Sequence, residues 1–177
     1  MPAIEQISPV LIQNNISRAA SDVFKTMLGL ELVLGIATSS TPSDSPRHAP
    51  GGVIETGPHI VGAVGFVGTI NGLIYLYLDL PFARHCTAHM LGMSDKELEQ
   101  AGDEVINDAI GEITNMTVGS FKNGLCDSGF PCTLTIPSIL RGSSFSIEPI
   151  SSVMRQTFRF ECGAHRVVAD ILIKIGD

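Results

Sequence analysis

Three side chains in the segment NDAIGEITNMTVGSF (107–121) could act together on one substrate: Asp108, Glu112 and Asn115. They stand at i, i+4 and i+7, so a helix turning about 100° per residue brings them within about 60° of one another. Ile106, Ala109, Ile110, Ile113 and Met116 gather elsewhere on the same wheel, as a stripe that must face the core. Asn115 has no useful pKa and cannot serve as a general base. Its amide can donate to and accept from one water molecule, which makes it an orienting group. Gly111 and Gly119 fall on or beside the polar face. Each glycine inside a helix costs roughly 1 kcal/mol relative to alanine, so stability does not explain them; a flat surface on which a partner can lie close does. A polar helix face is ordinarily a solvated one, and the wheel alone leaves both readings open.

Other groupings carry less chemistry. His85 and His89 lie one helical turn apart, a spacing compatible with metal binding, but the zinc-protease glutamate and an evident third ligand are missing, so the pair reads as a surface or interface feature. Gly62, Gly65 and Gly68 sit in a strand-like run and form no phosphate loop. Ser143-Ser144 and Ser151-Ser152 lack the nucleophile-elbow pattern of serine hydrolases. Cys86, Cys126, Cys132 and Cys162 contain no CxxC pair and are expected as free, buried thiols rather than metal ligands.

The elements that must position the 107–121 face can be read on either side of it. Apolar residues from Ile7 to Leu28 recur at helical spacing, and Gly29 stands where a helix C-cap belongs. ELVLGIA (31–37) reads as a strand, and the Pro- and Ser-rich stretch 38–52 as an exposed, mobile loop. Strand formers flank Asn71-Gly72, a hairpin signal. A short helix follows at 81–93, opened by Pro81. Ser94 and Glu97 form a capping-box pattern that opens a helical region to about Lys122, with a break at Gly102-Asp103. PCTLTIPSI, VMRQTFRFEC and HRVVADILIKI read as strands, the last two joined by a tight turn at Gly163-Ala164. Helices in two clusters with strands paired to sequence neighbours give an α+β class and a mainly antiparallel sheet. Segments 22–32 and 111–121 resemble each other faintly, each with a small apolar helix face before a glycine and then a strand.

At 177 residues the chain is expected to form a single domain over 1–177. Its net charge of −7 argues against nucleic acid as a partner. Only 16% of residues are charged and the mean hydropathy is +0.29, so the chain either hides a large core or shares its surface with another subunit. The N-terminus lacks a basic region followed by an apolar stretch, which makes secretion an unexpected fate and the cytoplasm the expected one. Residues 60–78 are nineteen without a charge, long enough for a membrane span. The glycines and Asn71-Gly72 within them point to two buried strands instead.

The arrangement Asp108-x3-Glu112-x2-Asn115, with Pro137 further along and the words GEITNM and TIPSILRG around it, resembles the signature of the CheC/CheX/FliY family. These proteins are phosphatases of the phosphorylated chemotaxis response regulator CheY. The resemblance implies a receiver-domain aspartyl phosphate as substrate. It implies that Asn115 orients the attacking water, that Glu112 pairs with the receiver's lysine, and that Asp108 lies at the contact edge. Gly111 and Gly119 would help form the partner surface, and Pro137 would be architectural. The Mg²⁺ would belong to the receiver, the chain having no cofactor or metal of its own. Aligning the N-terminal helix with the site helix puts Phe24 and Met27 in the Glu and Asn places, so one active helix per chain is implied, as in CheX. A homodimer through sheet edges is expected, with 60–70, 73–80, TFRFEC and ILIKI as candidate edges. A non-catalytic module that docks a receiver or a flagellar-switch component is the alternative.

Overall fold

A computed structural model describes residues 7–40, 56–148 and 153–174. Helix α1 (Pro9–Leu28) opens with Ser8, whose hydroxyl accepts from the Leu11 amide, and closes on Gly29 at φ 60°. Strand β1 (Val33–Ser40) follows. Strands β2 (Thr56–Gly68) and β3 (Asn71–Asp79) form an antiparallel hairpin. Helix α2 (Leu80–Leu91) is capped by Asp79 at its start and by Gly92 at its end. The Ser94–Glu97 capping box opens α3 (Asp95–Ala101), and Gly102, at φ 84°, separates it from the 25-residue α4 (Asp103–Asp127). The short β4 (Cys132–Leu134), β5 (Ser138–Ser144), β6 (Val153–Cys162) and β7 (His165–Lys174) complete the chain. The architecture is α+β, as expected.

All strand pairs are antiparallel, in one seven-stranded sheet of order β1-β6-β7-β3-β2, with β4 and β5 end to end along the far side of β2. This order has an internal two-fold pattern. The half α1-β1-β2-β3 and the half α4-β4/β5-β6-β7 meet at the β3–β7 seam, and each half lends its first strand to the other's hairpin. The faint sequence repeat falls on two topologically equivalent helices over 22–28 and 111–121, but Gly29 ends α1 whereas Gly119 lies within α4, so the strand expected after the second glycine is helix instead.

The helices cover one face of the sheet. Alternate residues of the central strands (Ile74, Leu76 and Leu78; Val167, Ala169 and Ile171) meet Ile12, Ile16, Phe24, Ile110, Ile113 and Phe121 from α1 and α4 in the main core. On the opposite face Val61, Tyr77 and Val168 are buried beneath Phe145 and Ile147, where the chain leaves β5. There Arg155 makes a bidentate pair with Asp170 (2.9 and 3.0 Å) and donates to the Ile147 carbonyl, while the Thr157 hydroxyl donates to Asp170.

Several expectations are revised. The hairpin turns at Thr69-Ile70, not Asn71-Gly72; Asn71 accepts from the Gly68 amide, and a Cβ on Gly72 would overlap the Phe66 ring and stand 2.5 Å from the Leu172 carbonyl oxygen. PCTLTIPSI is two strands interrupted at Thr135-Ile136-Pro137, and the site helix runs to Asp127, beyond Lys122. Of the 38–52 loop, residues 38–40 belong to β1 and the remainder lie outside the described residues. The strands named as candidate dimer edges, 60–70, 73–80, TFRFEC and ILIKI, are all interior. β1 and the β4/β5 line form the edges, because the two apolar hairpins pair with each other at the centre.

Candidate functional site

Helix α4 is held from three sides. Beneath it, Thr114 packs on Gly62 of β2: a Cβ on Gly62 would fall inside the Thr114 hydroxyl and 2.7 Å from its Cβ. The Thr114 and Thr117 hydroxyls are satisfied by donating to the carbonyls one turn back, at 2.7 and 2.8 Å. At its first turn, Arg141 of β5 donates from Nε to Asn107 Oδ1 (2.7 Å) and pairs with the Asp103 carboxylate (3.3 Å). On the other flank, Asn15 of α1 lies so close to Gly124 that a side chain there would overlap it. Asp103 and Glu104 in the first turn also complement the helix dipole.

The unbroken helix places Asp108, Glu112 and Asn115 on one face, as their spacing requires, over a rise of about 10 Å. Asp108 and Glu112 are exposed and Asn115 is half-buried. Among the described residues neither Glu112 nor Asn115 is held in a hydrogen bond or ion pair by another side chain. The result is a free carboxylate beside a free carboxamide on a rigid support.

The glycines have other surroundings than the expected flat contact surface. Gly111 is buried, with a Cβ position 3.8 Å from Ile139 of β5, so it belongs to the internal packing and not to an exposed partner surface. Gly119 is half-buried against Leu134 of β4 at 3.9 Å. Pro137, half-buried, immediately precedes β5 and marks the strand break. Phe24 of α1, which the sequence alignment sets in the place of Glu112, is fully buried in the core where Glu112 is exposed, and Met27 packs against that core.

Sequence reasoning missed Arg141 and Ile136. Arg141 carries no local signal, because its partners lie 34 and 38 residues away. Ile136, 87% exposed, was hidden inside an apparently continuous strand. The remaining candidates lie apart from this face. His85 and His89 are exposed on α2 with ring centroids 6.5 Å apart, and His85 stacks on Phe82, whose ring is also covered by His165. Among the described residues no three His, Cys, Asp or Glu side chains gather as a metal site. The four cysteines are free thiols, three of them buried and Cys126 half-buried. Burial pushes the Cys86 thiol up to about 12, which keeps it protonated and unreactive. No helix of the described residues is long and apolar enough to cross a membrane.

The chain is similar to known proteins at two levels. CheX of Thermotoga maritima, a CheY-P phosphatase, is 29% identical over 124 residues, covering 70% of this chain and 74% of that protein. The fold matches a CheC-like superfamily protein from Shewanella sp. PV-4 with a TM-score of 0.76, at 22% identity over 94% of this chain and 99% of that one. It also matches the CheX–CheY–BeF3–Mg²⁺ complex from Borrelia burgdorferi, with a TM-score of 0.65 at 20% identity, covering 96% of this chain and 99% of that one. The family described as Chemotaxis phosphatase CheX matches residues 60–161, which span β2 through β6 and include all of α4. The chain therefore belongs to the CheX family of chemotaxis phosphatases.

Proposed function

We propose that this protein hydrolyses the aspartyl phosphate of a CheY-like receiver domain, using Asn115 to orient the attacking water and Glu112 to engage the receiver's active-site lysine. The observation that carries the reading is the juxtaposition of an unengaged carboxylate and an unengaged carboxamide on one exposed turn of α4. The Borrelia relative is a complex with CheY, which supports a receiver as the partner. Asp108, one turn before Glu112, lies at the edge of the same contact.

Water attacks phosphorus in line with the bond to the receiver's aspartate; that P–O bond breaks, leaving a free carboxylate and inorganic phosphate. The transition state is loose, so position and charge matter more than covalent help from the enzyme. An amide that accepts from and donates to the same water fixes its approach without changing protonation. Glu112 supplies a fixed negative charge for a lysine, which orients the two proteins and draws the receiver's lysine into register. One carboxylate and one amide are too few hard ligands for a resident Mg²⁺, so that ion is assigned to the receiver. On this reading the activity belongs in the cytoplasm, where the receiver it acts on would be phosphorylated.

The test is phosphate release from a phosphorylated receiver with the wild type and with Asn115→Ala. Acceleration by the wild type, lost in the variant while the variant still binds, supports the reading. Binding without any acceleration by the wild type would leave a docking module for a receiver or flagellar-switch component. Full activity in Asn115→Ala would remove the water-orienting role.

A further inference from the structure

We infer that Ile136 is an apolar anchor for the receiver, seated beside Asn115 and setting affinity rather than chemical rate; the inference rests on the phosphatase reading above. Ile136 is the most exposed large hydrophobic residue among those described, at 87%. A side chain of this kind left in water forgoes the stabilisation that burial would bring, and an isolated one is unremarkable on a surface. Its position and its rigidity distinguish it here.

The register of the edge against α4 gives the position. Leu134 faces Gly119, Ile139 faces Gly111, and Arg141 reaches Asn107 and Asp103. The edge therefore runs antiparallel to α4, and residues 135–138 pass the turn between Gly119 and Gly111, the turn that carries Asn115 and Glu112. Cβ positions on the two glycines stand 3.8 Å from Ile139 and 3.9 Å from Leu134, so the edge packs in ordinary van der Waals contact along that stretch of the helix.

The rigidity comes from both neighbours. The Thr135 amide donates to the Gly65 carbonyl and its hydroxyl accepts from the Gly65 amide, both at 2.9 Å, so residue 135 is tied to β2 through backbone and side chain. Pro137 fixes its own φ and restricts the residue before it to extended conformations. Ile136 is thus presented between two fixed points and loses little freedom when it is covered, a feature of residues that dominate interfaces. The other strongly exposed apolar residues are elsewhere: Val10 opens α1, Val33 and Ile36 lie on the opposite edge strand, Leu91 ends α2, and Val67 and Leu140, next to the core-facing Phe66 and Ile139 on β2 and β5, lie on the sheet face away from α4. A receiver whose phosphoaspartate meets Asn115 must lie over the adjacent edge, and a small apolar depression on it would take Ile136.

Ile136→Ser, Ile136→Leu, Asn115→Ala and a distant control, Val10→Ser, would be assayed for KM and kcat on phosphorylated receiver, for Kd with beryllofluoride-activated receiver, and for mass in solution. Ile136→Ser is expected to raise KM and Kd about tenfold with kcat within about twofold of wild type. Ile136→Leu should recover most of the affinity, and Val10→Ser should change none of these quantities. Wild-type Kd in Ile136→Ser overturns the inference. So does a fall in kcat at unchanged Kd, or a change in solution mass at unchanged Kd, which would make Ile136 a contact between copies of this chain. Binding is read separately from turnover. If Asn115→Ala keeps full activity the phosphatase reading fails on its own account, whereas wild-type Kd in Ile136→Ser beside an inactive Asn115→Ala removes only the anchor.

Discussion

Glu112 and Asn115 lie three residues apart, yet they should fail differently when removed. Asn115→Ala is expected to lower kcat about a hundredfold with receiver affinity near wild type, because a misplaced water affects only the barrier. Glu112→Ala should raise Kd by at least tenfold and lower turnover as well, since it removes the carboxylate proposed to pair with the receiver's lysine. Stopped-flow phosphate release and a binding titration separate the two patterns. A third residue-scale prediction concerns the face opposite the helices. Asp170 is fully buried and holds Arg155, itself 6% exposed. Asp170→Ala would leave that guanidinium buried and unpaired, a loss of about 3–5 kcal/mol in urea denaturation. The apolar double variant Arg155→Met/Asp170→Leu should recover much of it, because it removes both buried charges together.

At the scale of elements, the contact between α4 and β2 decides where the site stands. Gly62 allows Thr114 to sit directly on the sheet, and Thr114 is flanked on the helix by Ile113 and Asn115. Gly62→Ala forces the helix to lift or rotate. It should destabilise the fold by about 1–3 kcal/mol and reduce turnover through displacement of Asn115. Gly111 is the contrasting case. A methyl group there would meet Ile139 at an ordinary van der Waals distance of 3.8 Å, so Gly111→Ala should gain about 0.5–1 kcal/mol from helix propensity. Because Gly111 is buried, receiver affinity should not change. Urea midpoints together with receiver titrations of the two variants check both signs.

For the whole molecule, the internal two-fold leaves two sheet edges unpaired among the described residues, with different surroundings. The β4/β5 edge borders the α4 face that carries Glu112 and Asn115, and β1 lies at the opposite end of the sheet. The β1 strand reads VLGIATSS, without a charge, and exposes Val33 (60%) and Ile36 (55%). An uncharged, unpaired edge invites strand addition, and pairing with a second copy across a two-fold closes the assembly and satisfies its backbone groups. We expect a homodimer through β1, with mass about twice the 18.8 kDa chain by light scattering at micromolar concentration. Val33→Lys/Ile36→Lys should give a monomer that keeps its phosphatase activity, since the site lies at the other edge. A wild type that runs as a monomer would reject the dimer.

What the sequence determined by itself was local. The helical period from Ile7 to Leu28, the αL glycine Gly29 and the Ser94–Glu97 box depend on residues within one or two turns, and each appears where that chemistry requires. The same holds for the common face of Asp108, Glu112 and Asn115, because helical geometry alone fixes their angular separation. The order of strands was not legible. Which hairpins meet at the centre depends on hydrogen bonds between distant segments, such as Thr135 with Gly65, 70 residues apart, and no local period encodes such a pairing. Hence apolar runs that looked like exposed edges proved interior, and the break that holds Ile136 out looked like continuous strand. Glycines carried the same ambiguity. Gly72 resembled a turn residue, whereas packing against Phe66 defines it. A missing side chain reports that something comes close, and only the tertiary structure identifies what it is.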